Sequence, residues 1–469
     1  MHTLYYRPPD GWVGDCMPCY HDGSYYLYYQ CDKRIPKPFP NGEPFGWSLA
    51  KSPDMVHFED FGEVLHKGEK GGREHCLYAG SVIHALGCFR AFYTGECKEY
   101  AASPELPPKE VIMFATSSDG IHWEKHPQWS ISAPPEYEKD YFRDPYVFFH
   151  EESGKWLMLV PARRRTGPAI RRGVMTYLSS DDLEHWHFEG ELWAPNMYHL
   201  LQMPDLFRIG DWWYLLFSEY DDQRCTRYRM SRSIYGPWIA PADDRLDGRC
   251  FYAARTIAVG EKRYLYGWNP TREGGDDLGM WIWGGTAVTH EIYARPDGTL
   301  AVRMPELFDQ RILPAAQIQL PQEVRLDRVD GCDELVLHKT AETFWRMDMK
   351  IAFQEGTFGF GIKLYENSQQ DRGYAYHFVP GENRVFFDKT PNYPWFRCMN
   401  RGLSRPLRLI PGKEYAVTII VDADISILYV DGTALSARMC EKPGQEIKLY
   451  VHGGTLRAAD IRYCNRLDR

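Results

Sequence analysis

CMPCYHDGSYYLYYQ, residues 16–30, reads as a strand, an Asp-Gly turn and a second, aromatic strand. Asp22-Gly23 between two apolar runs is a hairpin signal, because both central residues of such a turn take positive φ. The layout returns in GSVIHALGCFRAFYTGE (80–96), DPYVFFHEESGKWLMLVPA (144–162), PDLFRIGDWWYLLFSE (204–219) and YAARTIAVGEKRYLYGWN (252–269). Five copies at intervals of roughly 50–65 residues, almost without helical periodicity, are the mark of a β-propeller with about four strands per blade. A second repeat supports the first. WSLAKSPDMVHFED (47–60), MFATSSDGIHWEK (113–125) and MTYLSSDDLEHWHF (175–188) each carry a Ser-x-Asp turn between strands fit for the outer part of a blade.

The wheel closes near GGTAVTHEIYARPDGTLAVRMPELF (284–308), and after a Pro-containing linker the strands change style. TFWRMDMKIAF, FGFGIKLYE, EYAVTIIVDADISILYVDGTAL and EIKLYVHGGTLRAADIRYC alternate apolar and polar residues between Gly or Asp turns, the pattern of a two-sheet sandwich. The expected fold is all-β: a five-bladed β-propeller over residues 1–312, a linker over 313–322 and a β-sandwich over 323–469.

Composition narrows the partners. Aromatic residues are 15% of the chain, an excess that suits rings laid against sugar C–H faces. A net charge of −9 without a dominant basic stripe speaks against nucleic acid. The one basic cluster, ARRRTGPAIRRG (162–173, with Arg163 and Arg172 near its ends), fits a solvated hairpin loop or a rim facing an anionic group, and the sequence leaves both open. The start, MHTLYYRPPDGW, has neither the basic nor the apolar region of a signal peptide. No run approaches the roughly 18 apolar residues of a membrane span. With twelve cysteines in no framework spacing, the expectation is a cytoplasmic protein with reduced thiols and no membrane partner. Cys16 and Cys19 form a C-x-x-C with Cys31 nearby, but no second pair or His pair completes a metal site; the thiols read as buried strand residues, and no metal or cofactor is expected. Oligomeric state is left open.

The innermost strand of each blade lines the central channel, so residues at the strand entrances converge. The five entrances offer Asp15 (WVGDCMP), Ser81 (AGS), Arg143 and Asp144 (FRDP), Gln202 (LQMP), and Tyr252 with Arg255 (FYAAR). Taken singly, Asp15 fits a turn or cap, and Asp144 a structural Arg-Asp pair. Taken in repeat register, two carboxylates and a carboxamide facing inward fit glycoside cleavage. There one carboxyl attacks or stabilises the anomeric carbon and another protonates the leaving oxygen. Asp15 and Asp144 fill two roles; the place of the acid falls on Gln202, whose amide releases no proton at any useful pH.

These segments resemble glycoside hydrolase family 32, the invertases, inulinases and levanases, over nearly the whole chain. GWVGDCMPCYHDGSYYLYYQ resembles the family's opening W-M-N-D-P-N-G…F-Y-Q, YFRDPYVF its R-D-P block, LQMPDLF its E-C-P-D-L-F, and GRCFYAART its D-F-Y-A segment. The resemblance implies a five-bladed propeller with a C-terminal sandwich and a retaining, exo-acting β-fructofuranosidase. Asp15 would be the nucleophile, Asp144 the transition-state stabiliser with Arg143 beside it, and residue 202 the acid/base. Gln30, Trp47, Ser81 and Tyr252 would line the first sugar subsite. The chain departs from the family at Gly14, where the family has Asn, at Cys16-Met17-Pro18, where it has Pro-Asn-Gly, and at THEI (289–292). Arabinan- and xylan-cleaving propellers, which share the inward Asp-Asp-Glu arrangement, are the alternative enzymes.

Three explanations compete for Gln202. It is an engineered replacement of a glutamate, made to trap bound substrate; or another acid, Glu219 or Glu96 at the end of a neighbouring strand, takes its place; or the chain binds sugar without turnover. A propeller scaffold for protein interaction is the fourth reading.

Overall fold

The computed structural model describes residues 2–103, 105–220, 224–314, 318, 320–391 and 402–468. It is a β-propeller followed by a β-sandwich, and the one α-helix among the described residues is Glu306–Arg311. None of the described helices is long and apolar enough to cross a membrane.

Successive strands pair in antiparallel meanders, each starting from an inner strand: β1 (Trp12–His21), β2 (Cys76–Ala85), β3 (Tyr146–His150), β4 (Gln202–Ile209) and β5 (Tyr252–Val259). The Asp22-Gly23 turn has φ of 45° and 73°, as its dipeptide demands. The ring is joined where Val13 of β1 pairs with Gly285 of the fifth meander and Tyr6 bridges Ala287, so the start of the chain and the last meander share one sheet.

The second repeat is a structural device. In each copy the Ser hydroxyl and Asp carboxylate cap the turn, and Asp Oδ2 meets a His Nδ1 three residues on: Asp54–His57 at 2.8 Å, Asp119–His122 at 2.7 Å and Asp182–His185 at 2.7 Å. Burial works to raise the Asp54 carboxyl, yet the His57 and Val56 amides and the His57 ring hold it below the usual range. Asp54 alone of the three also meets a helix residue, Arg311 Nη2 at 3.1 Å.

From Ile312 onward the strands belong to a separate sheet system built on two long strands, β6 (Glu323–Lys339) and β7 (Glu446–Leu467). They pair along their length and bend together, at a bulge between Arg328 and Cys332 holding Gly331 (φ 95°) and at Gly453-Gly454 (φ 50° and 153°). One half of β7 pairs with Gly359–Asn367 and the other with Phe344–Phe353, so both faces of the sandwich hang on one strand. Trp345, Met347, Phe360, Ile362, Ile419 and Leu449 fill the space between the faces. Leu313 and Pro314, expected in the linker, instead pair with Arg466 and Cys464 as an edge strand, where a proline costs no ladder bond; linker residues 315–317 and 319 lie outside the described residues.

The two units share an apolar core that runs from Leu4, Val13 and Tyr266 to Ile420, Ile425 and Ile427. Asp422 of the sandwich accepts the amides of Thr3, Leu4 and Tyr5, tying down the segment that leads into β1.

Replacing Asp54 by Ala strands two turn amides and the Arg311 guanidinium, at a cost of about 2–3 kcal/mol. The expected midpoint of thermal unfolding is about 4 °C lower, with a smaller drop for Asp182→Ala, whose side chain is half exposed. Equal drops in the two variants would show that the tie to the helix adds nothing.

Candidate active site

The inner strands stop pairing at a common height. The ladder breaks between Val13 and Cys16, between Tyr78 and Gly80, between Gln202 and Asp205, and between Tyr252 and Arg255. In the third meander Asp144 lies between Phe142, paired with Ala162, and Tyr146, paired with Leu159. Asp144, Met203 and Ala253 take positive φ of 58°, 49° and 53° there. Such breaks re-aim side chains, and here they turn them into the hub.

The result is a pocket of about 180 Å³ lined by Asp15, Gln30, Tyr78, Arg143, Asp144, Gln202, Tyr220, Arg224, Tyr252 and Trp283, with Phe39, Pro40 and Ala79 at its wall. Asp15 Oδ1 accepts the Trp268 indole N–H at 3.0 Å. Asp144 is held on every side but one. Its amide donates to Thr94 Oγ1 at 2.9 Å, its carbonyl accepts from Arg255 Nη2 at 2.8 Å, and Oδ2 accepts the Met203 amide at 3.1 Å. Gln30 spends its amide nitrogen on the Leu77 carbonyl at 3.0 Å and keeps a buried, unpartnered Oε1 in the pocket wall. The Tyr252 hydroxyl stands 3.3 Å from Gln202 Oε1 and 3.3 Å from the Glu219 carbonyl, able to donate to either. Beneath Arg143, at 3.2 Å from Nη1, lies Glu110, fully buried and raised by that burial against the pull of the Arg143 charge.

Asp15 is half-buried, its carboxyl open to the pocket and crowded by the hub. Burial first, and then the Asp144 charge, push its pKa up to about 7, against Trp268, Arg255 and Arg143, which pull it down. A carboxyl of this kind is comfortable protonated and costly ionised.

Of the residues expected in the site, Asp15, Gln30, Arg143, Asp144, Gln202 and Tyr252 meet in this pocket. Ser81 does not. It lies beyond the break in β2, where alternation turns its hydroxyl to accept the Val147 amide at 3.0 Å and to line a different cavity. Trp47 does not either: it sits two strands out from the hub, fully buried, with its indole N–H on the Tyr78 carbonyl at 3.0 Å, so it backs the wall and does not form it. Glu219, next to Ser218 that pairs with Gln202, and Glu96, paired with Cys76, were considered as substitute acids and end second strands without lining the pocket. Glu219 pairs with Arg227, and Glu96 lies 3.8 Å from Lys109 Nζ. Among the described residues the carboxylates that line the pocket are Asp15 and Asp144.

The basic cluster turns to its own meander. Arg163 and Arg172 pair with Glu138, and Arg164 with Glu191. Cys16 and Cys19 point to opposite faces of β1, into separate apolar clusters, as odd spacing on a strand requires. Among the described residues no three His, Cys, Asp or Glu side chains are grouped to hold a metal ion.

No local pattern pointed to Trp283, Tyr220 or Arg224, which reach the pocket from loops and a distant strand. Trp283 does carry a trace. A Cβ on Gly14 would stand 2.0 Å from Trp283 Cη2, so the glycine before Asp15 is the imprint of that ring. Phe39, Phe45 and Trp268 surround it, with Phe45 stacked at 5.9 Å.

A propeller hub with two inward carboxylates, an arginine and aromatic walls around a sugar-sized hollow defines a glycoside hydrolase. Residues 5–284 match the family model of the glycosyl hydrolases family 32 N-terminal domain, and the chain belongs to glycoside hydrolase family 32. It is 28% identical to raffinose invertase of Escherichia coli over 80% of this chain and 79% of that one, and 26% identical to sucrose-6-phosphate hydrolase of Escherichia coli over 95% and 91%. Among solved structures, a Glu-to-Gln variant of fructan 1-exohydrolase IIa from Cichorium intybus, in complex with 1-kestose, superposes with a TM-score of 0.78 at 16% identity, over 100% of this chain and 98% of that one.

Two outcomes are expected. Gly14→Asn displaces Trp283 and lowers thermal stability, while Gly14→Asn combined with Trp283→Ala regains most of the loss; equal melting of the single and double variants would break the link. Asp15→Asn keeps the Trp268 bond and removes a charge the fold dislikes. Because the folded-state pKa is raised, the parent loses stability as pH rises from about 4 through about 7. The variant therefore melts higher than the parent by about 2 °C at pH 8 and equally at pH 4; a gain at acid pH would reverse the sign.

Proposed function

We propose that the chain hydrolyses a β-fructofuranoside by double displacement, and the observation that carries this reading is the meeting of Asp15, Asp144 and Gln202 in one hub pocket. Asp15 attacks the anomeric carbon, the carbon–oxygen bond to the aglycone breaks, and a fructosyl ester forms on Asp15. Asp144, with Oδ2 occupied by the Met203 amide, turns its other oxygen to sugar hydroxyls and to the positive charge that grows at the ring. Water then cleaves the ester. The buried Gln30 Oε1 accepts a hydroxyl of the same sugar.

Residue 202 stands where the departing oxygen needs its proton. An amide there holds position through Tyr252 and supplies none, so turnover is confined to aglycones that leave as stable anions. A second cavity of about 200 Å³ adjoins the pocket, shares Arg224, Tyr252 and Trp283 with it, and is completed by Trp268, Arg249 and Trp281. It gives the aglycone an aromatic and cationic berth. Sucrose, raffinose-type oligosaccharides and sucrose 6-phosphate are the substrate classes that the named relatives suggest. Gln202 itself favours a second reading, in which the chain binds the fructoside and releases it uncleaved. The thiols of the described cysteines are all free, which supports a reducing, cytoplasmic setting.

Turnover of a nitrophenyl β-fructofuranoside should rise with pH through about 7 as Asp15 ionises, with no alkaline fall from residue 202. Gln202→Glu should raise kcat on sucrose by about 10²–10⁴-fold and add an alkaline limb. Binding by calorimetry with no turnover in either form would favour the second reading.

A further inference from the structure

Arg255 has no part in the reaction as described, yet it is among the most deeply buried charges of the propeller. It is 1% exposed. From β5 its guanidinium crosses to two other meanders, donating to the carbonyls of Gly80 and of Asp144 (2.8 Å) and reaching the Pro145 carbonyl at 3.5 Å. Gly80 lies at the edge of the break in β2, and Asp144 and Pro145 lie before β3, outside its paired residues. Buried and unpaired, each carbonyl would carry its full desolvation cost. Arg255 also forms part of the wall of the cavity at the opposite mouth of the channel, beside Tyr146 and Arg263, so it separates that mouth from the reaction pocket.

We propose that Arg255 is a positioning residue of the active site: from behind the hub it holds the left-handed turn at Asp144 and sets its carboxylate against Asp15. Thr94 holds the amide side of Asp144 and Arg255 its carbonyl side, so χ1 of Asp144 is chosen by a backbone with both ends fixed. The guanidinium has a second effect that a neutral donor would lack. Its charge lies beneath the pocket, where it helps pull the Asp15 carboxyl back toward its ionised form, and it is itself faced by Asp144, Asp205 and Tyr146. Asp15 is faced by Asp144 and Arg143 from the third meander, Tyr220 from the fourth, Tyr252 and Arg255 from the fifth, and Cys16 on its own strand. Arg224, from the loop of the fourth meander, lines the same pocket, so removing Arg255 leaves Arg143 and Arg224 as the cations around Asp15.

The inference rests on the proposed roles of Asp15 and Asp144, and its test is built to fail separately. Arg255→Met and Arg255→Lys are compared with the parent on the nitrophenyl fructoside, together with a pH titration of tryptophan fluorescence, in which the Trp268 contact should report Asp15 and Asp15→Asn should abolish the transition. Arg255→Met should lower kcat at least about tenfold and move both the acid limb of kcat/KM and the fluorescence midpoint up by about one pH unit. Arg255→Lys should lower kcat while leaving the midpoint within about 0.3 units. A folded Arg255→Met with an unmoved midpoint overturns the proposal, since a merely structural arginine would change stability alone. If Arg255→Met does not fold, Arg255→Lys decides: kcat within twofold of the parent overturns it. If the parent and Gln202→Glu both lack turnover, the hydrolase reading has failed, and the fluorescence midpoint alone still judges Arg255.

Discussion

Backbone groups released inside a ring of inner strands must find partners where water barely reaches. Most of the hub architecture follows from that demand. Asp144 answers it three times over, to Thr94 in the second meander, to Met203 in the fourth and to Arg255 in the fifth. A residue held by three other meanders has its geometry only when the ring is closed. Closure depends on the short pairing of Val13 with Gly285 and Tyr6 with Ala287, and on the Asp422 carboxylate that pins the chain's first residues to the sandwich. The sandwich thus reaches the chemistry through the opening segment, and none of its described residues lines the pocket.

The electrostatics of the site are a compromise between folding and reaction. Two carboxylates share a crowded hollow, and one of them, Asp15, prefers its proton up to about pH 7. Arg143 above Glu110 and Arg255 behind Asp144 supply the positive charge that makes ionisation tolerable. Such sites trade stability for reactivity. Gln202 adds to this set an amide that meets the Tyr252 hydroxyl and carries no titrating proton.

The repeats were the most legible part of the sequence, because a blade is a local object. The Asp-Gly turn at 22–23 and the three Ser-x-Asp turns are each settled within a few residues, and each formed as read. The height of the site was legible too, since Asp15, Asp144 and Gln202 occupy equivalent places in their repeats. Facing was harder. Ser81 fell on the wrong side of a ladder break, and one added residue in a strand reverses every side chain after it. Trp47 looked like a wall and proved to be its backing, because a strand two places from the hub has no view of the channel.

Periodicity and turn chemistry are written locally in the chain, so the all-β class, the wheel of repeated meanders and the residues that approach its hub could be read from it. Which of them share a pocket, that Trp283 occupies the space left by Gly14, and that Arg255 stands behind Asp144 came from the closed ring. These depend on contacts between residues more than a hundred positions apart, and no local pattern records the direction in which a side chain crosses a closed ring.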